Sequence, residues 1–564
     1  MAGTSTSASE PGLQLQLNSA IATRLPVEIL LQIFEECAAD DELDPETEGY
    51  GGNWIRSITQ VCRYWRELAL DYPPLWTNIS FHHSSMATAM LQYARNAPIS
   101  IRVNLTPERK PSQILLSLLQ SVRSALAHSD HTKEISIVSQ ESETFADVLK
   151  SFLGPYPLLE SLTLRAIATS RSSPMTESPW IELPRAMFST GLLPLRTLVL
   201  ERCLLPFDEA VLHMHCAQLT RLELHCVGPF NGRSILAILS VTTQLETLVL
   251  NFLLPRVRHP DSITQQMIQL PRLTRLRFSD RYLTIYSILR FLSLPDDISL
   301  SLQFIIDRVA IPPVPSIIVP HIARGKPLRS ILMHSENISA QRGIRMYGWT
   351  AASPVPSFFD DELPEAKLDV HFARASGLDD GIIQSTIFDL YSALPLRFVT
   401  ALTVARVRNF TSDLWKPLLH YVPAVTELCI HGPDSIRALC YALCARLPSA
   451  SAPTGMGIIL PNLSTLTIYE AVFRTESGAR DKDFNGLLWM LERRADSGAR
   501  LENLVLCYSD VDRCDIEKLA DLVKSLVWDG SLRGRTSVPV PLESAAEPAT
   551  TPASELLAQF LNDL

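Results

Sequence analysis

A short leucine pattern recurs along most of this chain and constrains its fold more than any other feature. Five segments fit Leu-x-x-Leu-x-Leu strictly, and they begin at Leu159, Leu195, Leu219, Leu245 and Leu501. Looser copies, with other apolar residues at some positions, begin at Leu273, Leu328, Val399, Val425 and Leu463. In each copy the fourth and sixth positions are apolar and are separated by one other residue. This two-residue period is that of a strand with one buried face. The pattern therefore predicts a series of short strands that share one core.

The spacing of the copies is typical of structural repeats. Those that begin at Leu195, Leu219, Leu245 and Leu273 are separated by 24, 26 and 28 residues. A period of roughly 20–29 residues, with one strand and one helix or turn, is that of leucine-rich repeats. Residues 97–528 therefore resemble an irregular leucine-rich-repeat-like solenoid of α/β units. One or two α/β domains with a parallel sheet are the alternative.

Strand alternation assigns the side chains of these segments to two faces. Leu162 and Leu164 are predicted to point inward, and Arg221, Glu223 and Arg275 to point outward onto an exposed face. One repeat cannot bury its apolar face alone, so successive repeats stack and share a core. The outward side chains then form a long, mostly polar surface that suits the binding of another protein.

A different pattern precedes the repeats. The segment LPVEILLQIFEEC, residues 25–37, predicts a helix with Pro26 in its first turn and apolar residues at helical spacing, namely Ile29, Leu30, Ile33 and Phe34. A second predicted helix starts near residue 53 and ends at Asp71 and the Pro73-Pro74 pair. Its apolar side chains also follow helical spacing, and they include Val61, Cys62 and Trp65.

The motifs LPVEILLQIF and VCRYWRELA, followed by a proline and Leu-Trp, resemble the F-box, in the F-box-like form abundant in fungi. The resemblance covers residues 21–81 and implies a small helical F-box domain that binds a Skp-family adaptor and, through it, a cullin-RING core. The adaptor contacts that it implies are Leu25, Pro26, Ile29, Leu30, Ile33, Phe34, Val61, Cys62 and Trp65. Alternatively, these side chains are only the core of a helical hairpin. A module of about 50 residues, however, has more large apolar side chains than it can bury alone.

An acidic insert, residues 40–48, lengthens the loop between the two predicted helices and departs from the compact F-box pattern. It carries six carboxylates in nine residues. Their order lacks the alternating acids, glycine and final glutamate of a calcium loop, so a solvated loop is predicted.

Composition marks both ends of the chain. Residues 1–20 and 529–553 are rich in small, polar or proline residues and are predicted to be disordered. Residues 554–564 are predicted to form an amphipathic helix with Ser554 as its N-cap, which docks on the chain's own body or on another protein.

Charge and cysteine usage exclude several classes of protein. A formal net charge of −10 argues against a nucleic-acid-binding surface. No apolar run reaches the roughly 18 residues that suggest a membrane span. The first residues lack the basic and apolar segments of a signal peptide, and the ten cysteines include no CxxC pair. We therefore expect a cytoplasmic and/or nuclear protein with reduced thiols.

Motifs for catalysis are also missing from the sequence. It contains no nucleophile elbow, phosphate loop or dinucleotide-binding motif. A cluster of possible zinc ligands lacks the paired spacing of a structural site, namely His213, His215, Cys216, His225 and Cys226. We expect no enzyme activity, no cofactor and no metal.

The sequence thus predicts a substrate-recognition adaptor of an SCF-type cullin-RING ubiquitin ligase. Its F-box would bind the Skp-type adaptor, and its repeat body would bind an unknown target protein. An F-box scaffold in a non-degradative protein complex is the alternative.

Overall fold

The computed structural model describes most of the chain between residues 25 and 530. The described ranges are 25–40, 53–81, 83–106, 112–167, 180–188, 193–204, 216–227, 232–251, 267–306, 314–338, 341–352, 363–374, 380–407, 410–432, 436–448, 456–474 and 481–530. The N-terminal segment 1–20, residues 41–48 of the acidic insert, nearly all of the 529–553 linker and the C-terminal helix at 554–564 lie outside these ranges, so their predicted structures stay predictions.

Helices occur first as a cluster and then between strands. In chain order the α-helices are α1 (Val27–Asp40), α2 (Asn53–Thr59), α3 (Arg63–Leu70), α4 (Ser84–Ala94), α5 (Ser112–Leu126), α6 (Ser142–Leu149), α7 (Gly232–Val241), α8 (Tyr282–Leu289), α9 (Pro315–Ile322), α10 (Asp380–Ala393), α11 (Ser412–His420), α12 (Ile436–Leu443), α13 (Lys482–Asp496) and α14 (Arg513–Leu522). Short 3-10 helices cover Pro73–Trp76, Arg185–Phe188 and Leu396–Phe398.

Strands begin directly after the helical cluster. They are β1 (Asn78–Ile79), β2 (Ile99–Asn104), β3 (Thr132–Ser139), β4 (Ser161–Ala166), β5 (Ile181–Glu182), β6 (Thr197–Glu201), β7 (Cys203–Leu204), β8 (Arg221–His225), β9 (Thr247–Asn251), β10 (Ile268–Gln269), β11 (Arg275–Arg281), β12 (Leu292–Ser293), β13 (Ser299–Ile306), β14 (Ser330–Ile338), β15 (Gln341–Trp349), β16 (Leu368–Arg374), β17 (Ala401–Ala405), β18 (Glu427–His431), β19 (Arg446–Pro448), β20 (Met456–Ile458), β21 (Thr465–Tyr469), β22 (Asn503–Cys507) and β23 (Ser525–Trp528).

Seventeen of these strands form one sheet. Its spatial order is β1-β2-β3-β4-β6-β8-β9-β11-β13-β16-β15-β14-β17-β18-β21-β22-β23. Every neighbouring pair is parallel except β16–β15 and β15–β14. The body is therefore a mixed helix-and-strand structure built on a large, mostly parallel sheet.

The leucine segments supply the strands and their buried side chains. Each of the ten copies contains a strand of the large sheet, and its three apolar positions are at most 4% exposed. Leu162 and Leu164 are fully buried, as the alternation predicts. One apolar core runs from Leu30 to Val523, because parallel strands with helices between them bury a continuous inner face.

The same turn follows several strands. The residue directly after β6, β8, β17, β21 or β22 has a left-handed backbone, with φ between 49° and 56°; these residues are Arg202, Cys226, Arg406, Glu470 and Tyr508. In four of the five, the amide N–H donates to the carbonyl oxygen of the last residue of the next strand in the sheet. A backbone conformation that residues with a side chain rarely adopt thus recurs directly after five strands of the large sheet.

The order of strands β14, β15 and β16 interrupts this regularity. After β13 the chain crosses to β14, three strand positions further along, and then returns through the antiparallel β15 to β16, which pairs with β13. Strand β17 then pairs with β14. This excursion places β16 directly beside β13, although β14 and β15 separate the two strands in the sequence.

The helical cluster shares its core with the sheet. Trp76 is 3% exposed, its indole N–H donates to the carbonyl oxygen of Ala69 at 2.7 Å, and its ring lies 5.0 Å from that of Tyr93 in α4. Shortly after Trp76 in the sequence, β1 pairs with β2 and so forms the first strand of the large sheet. The N-terminal module is therefore packed directly against the body.

Candidate functional site

The N-terminal module contains α1, α2 and α3 rather than the two helices that the sequence predicts. The predicted second helix is broken between Thr59 and Arg63. The physical reason is Cys62, whose extended backbone ends the helical run and whose Sγ accepts the N–H of Trp65 at 3.4 Å, so that it caps α3. Asp71 lies at the C-terminal end of α3, where the prediction placed the helix end.

The predicted adaptor contacts divide into buried and exposed residues. Leu30 and Phe34 are fully buried in the core. Trp65 is half-buried and its ring meets that of Phe34 edge-on, with 5.1 Å between the ring centroids. The rings of Phe34 and Trp65 thus join α1 to α3, Leu30 is part of the core, and Cys62 caps α3. All four residues therefore support the module from within.

The remaining predicted contacts lie on the surface. Ile29 and Ile33 lie four residues apart on one side of α1, and Leu25 precedes the helix at the same four-residue spacing; the three are 45%, 37% and 36% exposed, respectively. Pro26 is exposed beside them, and Val61 is 50% exposed at the turn between α2 and α3. We call Leu25, Ile29, Ile33 and Val61 the apolar row.

Two further exposed apolar side chains were missed by the sequence reasoning. Val27 is 39% exposed and Tyr64 is 36% exposed. Val27 lies between Leu25 and Ile29 but off their four-residue spacing, and Tyr64 precedes Trp65 in α3. Helical periodicity alone could not find them, because it reports which residues share a face but not which face a neighbouring helix covers.

The outward face of the sheet is the second candidate surface. Register pairing aligns Glu201, His225, Asn251, Ser279, Gln303 and His371 across consecutive strands. A parallel row contains Glu223, Val249, Arg277, Ser301 and Asp369. Polar side chains therefore dominate the middle of this face.

Glu223 differs from its predicted exposure. It points to the outward face but is only 6% exposed. Three cations or potential cations surround its carboxylate: His225 Nε2 at 3.4 Å, Arg221 Nε at 2.8 Å and Arg165 Nη2 at 3.2 Å. These partners, with His225 first among them, lower the pKa of the Glu223 carboxyl from 4.5 to about 2, although burial opposes the change.

Replacing Glu223 by glutamine should destabilise the protein in a pH-dependent way. Since the folded-state pKa lies below the ordinary value, the stabilisation is present above about pH 4.5 and is lost as the pH falls towards about 2. At neutral pH we expect Glu223→Gln to lower the free energy of unfolding by about 2 kcal/mol. Thermal unfolding should show the stability difference between wild type and Glu223→Gln narrowing from about pH 4.5 down to about pH 2. The control is Glu427→Gln, at an exposed residue of β18. If this substitution lowers the free energy of unfolding as much as Glu223→Gln does, the partners of Glu223 do not stabilise the fold in the way described.

Arg275 also has a partner that the sequence did not reveal. It is exposed on the outward face, as predicted, but its Nε lies 2.6 Å from Glu365 Oε1. Glu365 belongs to the segment that leads into β16. Charge reversal at Arg221 or Arg275 would therefore break an existing ion pair as well as alter the surface.

The cysteine and histidine cluster of the sequence is only partly described. Cys216 is buried, and burial raises the pKa of its thiol to about 12. Burial raises the pKa of Cys226 to about 11. His213 and His215 lie outside the described residues. Among the residues that the structure describes, no group of three or more His, Cys, Asp and Glu side chains could hold a metal ion.

Comparison with known proteins addresses the N-terminal module. No curated protein matches the chain. In the described part of the structure, no helix combines the length and apolarity needed to span a bilayer. The family model of F-box-like domains matches residues 22–82, which contain α1, α2, α3 and β1. The chain therefore carries an F-box-like domain, and the apolar row lies on its surface.

Proposed function

We propose that this protein is a substrate-recognition adaptor of an SCF-type cullin-RING ubiquitin ligase. The observation that carries the proposal is the apolar row, which stays exposed on a domain that matches the F-box-like family. F-box domains generally bind Skp-type adaptors, and exposed apolar side chains on a helix are the anchors that such helix-to-helix binding uses. Leu30, Phe34 and Trp65 hold the helices that present these anchors.

We propose further that the body is an irregular leucine-rich-repeat-like solenoid of the fungal F-box type, and that its outward face binds the target protein. The recurrent left-handed turn and the strand order support a repeated unit. Stacked units present an extended polar face, and such faces commonly bind other proteins. In this proposal the chain brings its target close to the ligase and performs no chemistry itself, in the cytoplasm and/or the nucleus.

Affinity purification from cells, followed by mass spectrometry, tests this function. We expect wild-type protein to recover a Skp-type adaptor, a cullin and one or more target proteins. The variant Ile29→Ala/Ile33→Ala should lose the adaptor and cullin but keep the targets, which should accumulate because they are no longer ubiquitylated. Point variants suit this purpose because truncation at residue 97 would also remove β1 and α4, which pack on the body.

Two results would contradict the proposal. If wild-type protein recovers no Skp-type adaptor, the F-box role is wrong. If adaptor and targets are recovered but target ubiquitylation and abundance do not depend on the apolar row, a non-degradative F-box scaffold replaces the ligase role.

A further inference from the structure

A cavity of about 250 Å³ opens in the outward face of the sheet, where β9, β11, β13, β15 and β16 lie side by side. Polar side chains form most of its wall. Pockets for drug-sized ligands occupy roughly 300–1,000 Å³, so this cavity fits one side-chain group better than a whole cofactor. It exists because the excursion through β14 and β15 places β16 beside β13.

The acidic group of the cavity is already neutralised. Asp369 accepts hydrogen bonds from Nε and Nη2 of Arg345 at 2.7 and 2.8 Å, and a further one from the Ser301 hydroxyl at 2.7 Å. A bidentate arginine–carboxylate pair of this kind is strong and geometrically fixed. The guanidinium of Arg345 also lies over the ring of Tyr347, 4.7 Å from its centroid. Asp369 therefore offers little negative potential to a ligand.

Arg277 leaves the cavity with an excess positive charge. It is exposed on β11 and makes no ion pair or hydrogen bond with another described residue. Its neighbours in register are Val249 and Ser301, which carry no charge. An arginine presents five N–H donors in a planar fork that matches carboxylate and phosphate groups.

A neutral donor lies beside this arginine. The side-chain oxygen of Gln303 accepts a hydrogen bond from the Ser279 hydroxyl at 3.0 Å. This bond fixes the orientation of the amide and leaves its N–H groups as donors. Among the described residues that line it, the cavity thus combines one guanidinium without an ion pair, that of Arg277, with an amide donor, and the one carboxylate, that of Asp369, is paired with Arg345.

We propose that this cavity binds one anionic side-chain group, a carboxylate or a phosphate, of the target protein. The proposal rests on the proposed function, since it specifies what the outward face recognises. Arg277 supplies the charge-assisted hydrogen bonds, and Gln303 supplies the neutral one. The Arg345–Asp369 pair forms a fixed wall that prevents Asp369 from repelling the anion.

Two measurements on full-length protein test this proposal. In the first, immobilised protein selects from degenerate peptide libraries that fix glutamate, phosphoserine or serine at the central position. In the second, thermal unfolding is followed with inorganic phosphate or chloride at equal ionic strength. Both use wild type, Arg277→Gln and, as a control with the same charge change outside the cavity, the exposed Arg272→Gln.

We expect wild type and Arg272→Gln to enrich peptides with a central anion and to be stabilised by phosphate. Arg277→Gln should lose about tenfold in enrichment and should lose the phosphate effect, because one charge-assisted interaction is worth about that factor. Preference for glutamate assigns a carboxylate, and preference for phosphoserine assigns a phosphate. If neither measurement distinguishes Arg277→Gln from Arg272→Gln, the proposal is overturned.

The proposed function can be judged separately with the same proteins. Arg277 lies on β11, away from the apolar row of α1, so every variant should bind a purified Skp-type adaptor normally. Normal adaptor binding without an anion effect would reject only the cavity proposal. An anion effect that depends on Arg277 without adaptor binding would instead reject only the ligase role.

Discussion

The double variant Ile29→Ala/Ile33→Ala should lose most of its affinity for a Skp-type adaptor while remaining folded. Ile29 and Ile33 are 45% and 37% exposed, so their truncation removes much less buried contact within the chain than truncation of a core residue such as Leu30 would. Apolar anchors at the centre of an interface cost about 2–4 kcal/mol when truncated, which corresponds to a decrease in affinity of about 30-fold or more. Titration calorimetry with the purified adaptor measures the change, and thermal unfolding checks the fold.

The matched control is Ile114→Ala/Leu116→Ala on α5. These two side chains are 49% and 66% exposed on a body helix, so the substitutions remove a comparable amount of exposed apolar surface. We expect this variant to bind the adaptor as wild type does. Equal binding by both double variants would show that the apolar row is not the adaptor site.

Trp76→Ala should loosen the junction between the F-box-like domain and the sheet. The indole ring is buried between Trp54 and Tyr93, at 5.3 and 5.0 Å between centroids, and its N–H bonds Ala69. Removing a buried tryptophan costs about 3–5 kcal/mol through lost contacts and the cavity left behind. The amide of Ser100 donates to Thr77 O at 2.8 Å and reports directly on this junction.

Hydrogen–deuterium exchange measures the effect at that amide. We expect exchange at Ser100 to accelerate by at least about 100-fold in Trp76→Ala, because protection follows the free energy of local opening. The control Trp489→Ala removes a tryptophan that is 40% exposed on α13, and it should leave Ser100 protected. Unchanged protection of Ser100 in Trp76→Ala would mean that the domain and the sheet are stabilised independently.

Local sequence patterns predicted a large part of this structure. The leucine segments predicted ten strands and their buried side chains, because a two-residue apolar period fits a strand with one buried face. The F-box-like motifs predicted the helical module, and the family comparison supports that prediction. Both signals lie within stretches of about 5 to 15 residues, where neighbours in sequence are also neighbours in space.

The candidate sites depended on contacts between distant parts of the chain. Periodicity placed Phe34 and Ile33 in one apolar stripe, but the packing of α1 against α3 buried the first and exposed the second. It placed Glu223 on the outward face, but Arg165, 58 residues away, helps to bury its carboxylate. Alternation assigns a face to each side chain and cannot report what covers that face.

The sequence by itself determined which segments become strands and helices and which of their side chains are apolar. The tertiary structure alone decided the strand order β13-β16-β15-β14-β17, and with it the pairing of Arg345 with Asp369 beside Arg277. The order of the strands follows from the packing of the whole sheet and its helices. The alternation of apolar and other residues that predicts a strand, by contrast, lies within that strand's own few residues. For this reason the strands of the leucine segments can be predicted from the sequence, while the cavity that we propose as a binding site cannot.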